Sequence, residues 1–185
     1  MTTAGGNISD VAFSKNRRYR PGTERPPASL RPWLEDASSL TKRMRAACGG
    51  GFTLELLGQV RIRPLAGEAR ILNLPQRRFA LVREVLLCCR EDPWVFARSV
   101  VPMATLQGRH RRIAYLGVRP LGDFLFSSSG LKRGKIRVLP LHADPPMHAA
   151  CTEALGAGPV GAWLRQSLFQ LDRAPLLISE VFLPQ

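Results

Sequence analysis

The sequence lacks any run of about 18 apolar residues, the length that a membrane-spanning helix needs. Its first 22 residues, MTTAGGNISDVAFSKNRRYRPG, contain neither the apolar segment nor the cleavage pattern of a secretory signal. The GxxxxGK[ST] pattern that binds nucleotide phosphates is also missing. These absences argue against a membrane-embedded, secreted or P-loop protein, and we expect a cytoplasmic one.

Cysteine and histidine are scarce, and their spacing fits no metal site. The cysteines are Cys48, Cys88, Cys89 and Cys151, and the histidines are His110, His142 and His148. No CxxC pair occurs, and the histidines lie in polar or loop-like stretches. We therefore expect buried, reduced thiols in a reducing compartment and no bound metal.

Lysine is nearly absent, whereas arginine is abundant: 23 arginines and 4 lysines, against 14 acidic residues, give a formal net charge of +13. This excess can reflect coding bias, or it can attract nucleic acid or a small polyanionic substrate. The basic runs KNRRYR (15–20) and RHRR (109–112) fit a solvated surface better than a nucleic-acid site. Only two tyrosines occur and no aromatic-basic stacking motif is present, so we expect no nucleic-acid partner.

The pattern along the chain predicts a flexible basic tail over residues 1–29 and one domain over residues 30–185. Helical patterns at 30–36 and 38–51 precede a series of strand-like segments. The predicted strands are 52–62, 79–89, 94–102, 135–141, 162–171 and 176–184. Segment 66–75 is interpreted as a loop that can include a short strand, and segment 143–161 as a loop. Segment 119–134 is interpreted as one helical turn followed by a polar connection. Short turns between most strands indicate an antiparallel sheet, so the predicted class is α+β with the helices gathered on one face or end.

Three charged residues interrupt the apolar rows of these strands. Alternation places Glu180 among large apolar neighbours in LLISEVFLP, and Arg83 and Arg98 stand in the same way in their own strands. An isolated charge in such a row is costly, so each needs a partner or a ligand. One interpretation is a buried Arg–Glu salt bridge, and the other is a closed pocket whose arginine holds an anion. Spacing alone does not decide between them.

Five segments, in this order, resemble the chorismate pyruvate-lyase family. They are WLEDASSLTKR (33–43), LVREVLLC (81–88), ARSVVPMATL (97–106), LGVRPLGDFLF (116–126) and LISEVFLP (177–184). The resemblance covers about residues 30–185. It implies a single domain with a six-stranded antiparallel sheet, in which helical flaps cover a buried ligand pocket. It also implies that pyruvate is eliminated from chorismate to give 4-hydroxybenzoate for ubiquinone synthesis, without a cofactor.

The resemblance also implies roles for individual residues. Arg83 would grip the ring carboxylate and Glu180 would meet the ring hydroxyl, while backbone groups of Leu40 and Leu121 would complete the pocket. The chain departs from the family pattern in having Trp163-Leu164-Arg165-Gln166-Ser167 where W-G-R-R-S is frequent.

Chorismate carries two carboxylates, and we expect Arg98 or Arg165 to meet the second one unless these residues are structural. A planar guanidinium fixes a carboxylate by two hydrogen bonds, which suits Arg83 as an anchor. Glu180 would move a proton or only orient the substrate. The alternative function is a sensing domain of the same fold that binds a small aromatic acid without catalysis. It is less favoured because we expect no attached helix-turn-helix domain in these 185 residues. We also expect a monomer.

Overall fold

A six-stranded antiparallel sheet forms the centre of the protein, as predicted. The computed structural model describes residues 24–75 and 77–184, so the run KNRRYR and most of the expected tail lie outside the described residues. Every helix within these two ranges is too short or too polar to span a lipid bilayer. The strands are β1 (Phe52–Ile62), β2 (Ala80–Cys89), β3 (Asp92–Pro102), β4 (Leu131–Pro140), β5 (Trp163–Leu171) and β6 (Ala174–Phe182).

The strand order in the sheet is β1-β2-β3-β6-β5-β4. Two antiparallel sets of three strands thus meet where β3 pairs with β6. The turn between β5 and β6 is a two-residue connection in which Asp172 and Arg173 have φ values of 51° and 71°. Positive φ at both central positions gives the turn a twist that matches the flanking strands, which fixes the register of this hairpin.

One face of the sheet is covered by two groups of short helices, which we name the flaps. The first flap (residues 31–47) contains α1 (Arg31–Glu35) and α2 (Leu40–Ala47). The second flap (residues 108–126) contains a 3-10 helix (Gly108–Tyr115) and α4 (Leu121–Phe126). Ser39 caps α2 by accepting a hydrogen bond from the backbone N–H of Lys42. Each flap buries apolar side chains against the sheet, including Leu34 and Met44 of the first and Ile113 and Leu125 of the second.

The opposite face of the sheet is also covered, which corrects the expectation that helices gather on one side. Segments 66–75 and 143–161, expected to be loops, contain α3 (Ala66–Ile71) and α5 (Pro145–Leu155). The second segment was interpreted as a loop because it is rich in alanine, glycine and proline, yet two of its prolines occupy the first turn of α5, where proline is tolerated. Asp144 caps this helix, and Met147 and Cys151 pack against the sheet.

The cysteine prediction is wrong for two of the four residues. Cys48, at the end of α2, and Cys89, at the end of β2, form a disulfide with their Cα atoms 5.4 Å apart. The two positions are 41 residues apart in sequence, so spacing gives no sign of the pairing. Cys88 and Cys151 are free and buried, as expected. The disulfide links the first flap directly to the sheet.

Candidate active site

A narrow cavity lies between the sheet and the two flaps. Its floor is formed by alternate residues of β2, β3, β5 and β6, and its walls by the helix starts of α2 and α4. Apolar side chains such as Leu54, Val85 and Ile178 line much of the space. The charged residues of the lining are Arg83, Arg133, Arg165 and Glu180. Three guanidinium groups against one carboxylate give the cavity a formal charge of +2.

Arg83 is almost fully buried, with 2% of its surface exposed. Its Nη2 atom donates hydrogen bonds to the carbonyl oxygens of Gly117 (2.7 Å) and Arg119 (3.2 Å) in the second flap. Its Nε atom is buried and has no hydrogen-bond partner among the described residues. Burial lowers the pKa of this guanidinium because the surroundings solvate its charge poorly. A buried donor of this kind is costly unless an acceptor arrives, and a ligand anion would supply one.

Glu180 is paired with Arg165, its direct cross-strand neighbour in β5. The Nε atom of Arg165 donates to Oε2 of Glu180 at 2.6 Å, and both side chains are buried. Arg165 also donates from Nη1 to the carbonyl oxygens of Trp33 (2.7 Å) and Asp36 (3.1 Å) in the first flap. Its Nη2 atom, like Nε of Arg83, is buried and without a partner among the described residues. The buried Arg–Glu salt bridge that was one interpretation of the sequence thus exists. It lies inside the cavity, and the Nη2 donor of Arg165 is still available to a ligand.

Leu40 and Leu121 each occupy the first position of a flap helix and line the cavity. Helix geometry leaves the first backbone N–H groups without an acceptor inside the helix. The flaps meet over the cavity: a Cβ atom added to Gly122 would lie 3.0 Å from the Thr41 hydroxyl oxygen. A side chain at position 122 would press on Thr41, so glycine suits this close approach of the two flaps.

Comparison with known proteins shows the family to which the chain belongs. The family model described as chorismate lyase matches residues 18–185, which includes part of the segment expected to be a tail. A protein from Methylococcus capsulatus named probable chorismate pyruvate-lyase is 43% identical over 156 residues, covering 84% of this chain and 94% of the relative. The chain belongs to the chorismate lyase family. A relative with the same name from Aromatoleum aromaticum is 41% identical over 167 residues, covering 89% of this chain and 90% of its own.

Solved structures show the same fold beyond the chorismate lyase family. The C-terminal domain of the histidine utilization repressor from Pseudomonas syringae aligns with a TM-score of 0.50 at 11% identity, covering 71% of this chain and 91% of that one. A putative GntR-family transcriptional regulator aligns with the same TM-score at 13% identity, covering 71% of this chain and 56% of that one. At these identities the likeness concerns the fold alone.

Arg98 does not reach the cavity, which corrects its candidacy as a contact for the second carboxylate. It projects from the opposite face of the sheet, where Nε donates to Glu68 at 2.8 Å and Nη1 to Glu84 at 2.5 Å. Burial alone would lower the pKa of Arg98, but the two carboxylates outweigh it and raise the pKa. Both faces of β3 are apolar, so alternation identified a charge among apolar neighbours without showing which face it occupies.

Arg133 is the charged residue of the cavity that sequence reasoning missed. The predicted strand began at 135, whereas β4 begins at Leu131 and includes Arg133. Ser99, Ser167 and the apolar wall residue Phe169 were also not foreseen near the site. Strand alternation could have predicted these three positions. Ser99 is two residues from Ala97, and Ser167 and Phe169 are two and four residues from Arg165, so each lies on the cavity face of its strand.

A larger cavity lies behind the first flap, with a volume of about 490 Å³. Its described lining includes Trp33, Trp94 and Phe182 and contains no ionisable side chain. Such a surface offers nothing to a carboxylate, so the smaller, charged cavity is the better site for an anion. Over residues 24–75 and 77–184, no three histidine, cysteine or acidic side chains are grouped so as to hold a metal ion.

Proposed function

We propose that the protein is a chorismate pyruvate-lyase, which eliminates pyruvate from chorismate and leaves 4-hydroxybenzoate. The observation that carries this proposal is the match of charge between cavity and substrate. Chorismate is a dianion, and the cavity has a formal charge of +2 with two buried guanidinium donors, Arg83 Nε and Arg165 Nη2, still lacking acceptors among the described residues. Family membership and the relatives' names support the same activity.

In this proposal Arg83 holds the ring carboxylate. Its side chain is fixed from one side by the carbonyl oxygens of Gly117 and Arg119, which leaves Nε for the ligand. Arg165 lies on β5, three strands along the sheet from β2, and meets the enolpyruvyl carboxylate through Nη2. Separating the two carboxylate sites in this way sets the substrate in one orientation, which is a large part of what a catalyst of this reaction must do.

Glu180 binds the ring hydroxyl. The carboxylate has a second oxygen, Oε1, beside the one that accepts from Arg165, and a carboxylate accepts several hydrogen bonds. Backbone N–H groups at Leu40 and Leu121 complete the pocket from the flaps. With the flaps closed, water is excluded and each of these charged contacts becomes stronger.

The chemistry requires breaking the bond between the ring carbon and the ether oxygen. The hydrogen on the adjacent ring carbon, which carries the hydroxyl, leaves as the ring becomes aromatic. The enolpyruvyl oxygen keeps the bonding electrons, and its methylene carbon takes up a proton to give pyruvate. Aromatisation drives the reaction, so the protein acts by positioning and by electrostatic stabilisation.

Incubation of the purified protein with chorismate tests the proposal directly. We expect equal amounts of 4-hydroxybenzoate, detected by its ultraviolet absorbance, and of pyruvate, detected with a coupled dehydrogenase. Binding of 4-hydroxybenzoate without any turnover of chorismate would instead support the sensing domain. The role in ubiquinone synthesis, the cytoplasmic location, the absence of a nucleic-acid partner and the monomeric state stay predictions.

A further inference from the structure

Arg133 enters the cavity because of an irregularity in β4. The pairing of β4 with β5 shifts between Arg133 and Ile136, so that Arg133 pairs with Phe169 while Ile136 pairs with Ser167. In a regular strand, residues 133 and 136 would lie on opposite faces. The bulge, which contains Gly134, places both on the cavity face. Bulges next to active sites often redirect a side chain in this manner.

The guanidinium of Arg133 joins the floor of the cavity to the first flap. Its Nη2 and Nε atoms donate to the Ser167 hydroxyl at 2.8 and 3.2 Å. Its Nη1 atom faces three successive carbonyl oxygens, those of Asp36 (3.5 Å), Ala37 (2.9 Å) and Ser38 (3.3 Å). These three residues lead directly into the cap and first turn of α2, where Leu40 lines the cavity.

The same arginine contributes one of the three positive charges of the cavity. Burial lowers the pKa of Arg133, and the charge of Arg165 lowers it further, while Glu180 and Asp36 act in the opposite direction. The hydrogen bonds from Arg133 to the flap therefore lie in a cavity whose charged side chains have a net positive charge. A bound anion would relieve the repulsion between these guanidinium groups and so favour the closed position of the flap.

We propose that Arg133 is a positioning residue that clamps the first flap over the bound anion and thereby sets the rate at which product leaves. The inference rests on the proposed function for the identity of the ligand. It assigns no chemical step to Arg133. Its action is exerted through residues 36–38 and through the charge of the cavity.

The test compares Arg133→Met and Arg133→Lys with a matched control, Arg137→Met. Arg137 lies on the same strand but faces the opposite side of the sheet, where it donates to Gln166. The measurement is the release rate of 4-hydroxybenzoate, obtained by stopped-flow displacement, together with its equilibrium affinity. Amide hydrogen exchange of residues 36–47 in the ligand complex reports on the flap itself.

For Arg133→Met we expect release to accelerate about tenfold or more, as the loss of one or two hydrogen bonds from a charged group implies. Protection of residues 36–47 should fall at the same time. Arg133→Lys should keep affinity within about threefold of wild type, because the charge remains, yet it should still release product faster. A lysine ammonium is a single compact group without the planar, forked guanidinium. It cannot contact Ser167 and the three carbonyl oxygens at the same time.

Unchanged release and unchanged exchange in a folded Arg133→Met variant would overturn the inference. Wild-type release rates in Arg133→Lys would also overturn it, because the fork would then be dispensable. If Arg133 had a merely structural role, Arg133→Met would lower the melting temperature without faster release or loss of protection at residues 36–47. The Arg137→Met control shows how far loss of an arginine from this strand lowers the melting temperature. Since release is measured with product, a wild-type protein that binds 4-hydroxybenzoate but does not turn over chorismate would refute the proposed function alone.

Discussion

Arg83 and Glu180 come from segments almost a hundred residues apart and line one cavity. Each is a charge in an apolar row, and the family resemblance is what gave both of them a role in the site. The structure adds what spacing could not show: each already has protein partners, and the donors left over belong to Arg83 and Arg165. The site is therefore partly satisfied before any ligand enters, and a bound anion would supply the acceptors that Arg83 Nε and Arg165 Nη2 lack among the described residues.

Replacement of Arg83 by alanine should weaken binding of 4-hydroxybenzoate by about 2–4 kcal/mol, as expected when one partner of a buried charge pair is removed. Calorimetric titration gives this value. The exposed Arg61, which lies on the neighbouring strand, provides a control, and its change to alanine should leave affinity within about threefold. Equal affinity of wild type and Arg83→Ala would remove Arg83 from the site.

Replacement of Glu180 by glutamine keeps an acceptor for Arg165 but removes the negative charge. Turnover of chorismate should fall by about a hundredfold or more, the range of a lost acid–base or charged contact. The melting temperature should change by only a few degrees, because the residue volume and one hydrogen bond are kept. Pyruvate formation at the wild-type rate in this variant would leave Glu180 without a chemical role.

At the scale of the element, periodicity predicted the features that depend on side-chain alternation and missed those that break it. The six strands and their antiparallel hairpins were predictable because short, largely apolar segments are separated by turn sequences, although most of these strands are buried on both faces. The start of β4 was missed because Gly134 and the bulge interrupt that alternation. Helix α5 was missed because its segment is rich in alanine, glycine and proline. The face to which Arg98 points could not be predicted because both faces of β3 are apolar.

The disulfide between Cys48 and Cys89 acts on two elements at once, α2 and β2. Its closed loop of about 41 residues corresponds to roughly 4 kcal/mol of stability in the chain-entropy model. Treatment with a dithiol reductant, or the change Cys48→Ser, should therefore lower the free energy of unfolding in urea by about 2–4 kcal/mol. The buried free thiol Cys88 is the control position, and Cys88→Ser should keep the response of the protein to the reductant.

At the scale of the whole molecule, the net charge of +13 favours encounter with anions. The association rate of dianionic chorismate should fall as sodium chloride rises, and more steeply than that of the monoanion 4-hydroxybenzoate, because the interaction grows with ligand charge. Stopped-flow measurements at a series of salt concentrations would show the two slopes. Identical slopes for both ligands would indicate that long-range attraction does not guide the substrate.

The sheet is assembled from two sets of three strands that meet only where β3 pairs with β6. Arg83 belongs to the first set, while Arg133, Arg165 and Glu180 belong to the second. During synthesis on the ribosome, β6 is the last of the six strands to emerge. The nascent chain accordingly has no place for a dianion until that strand docks, and ligand affinity can serve as a reporter for completion of the sheet.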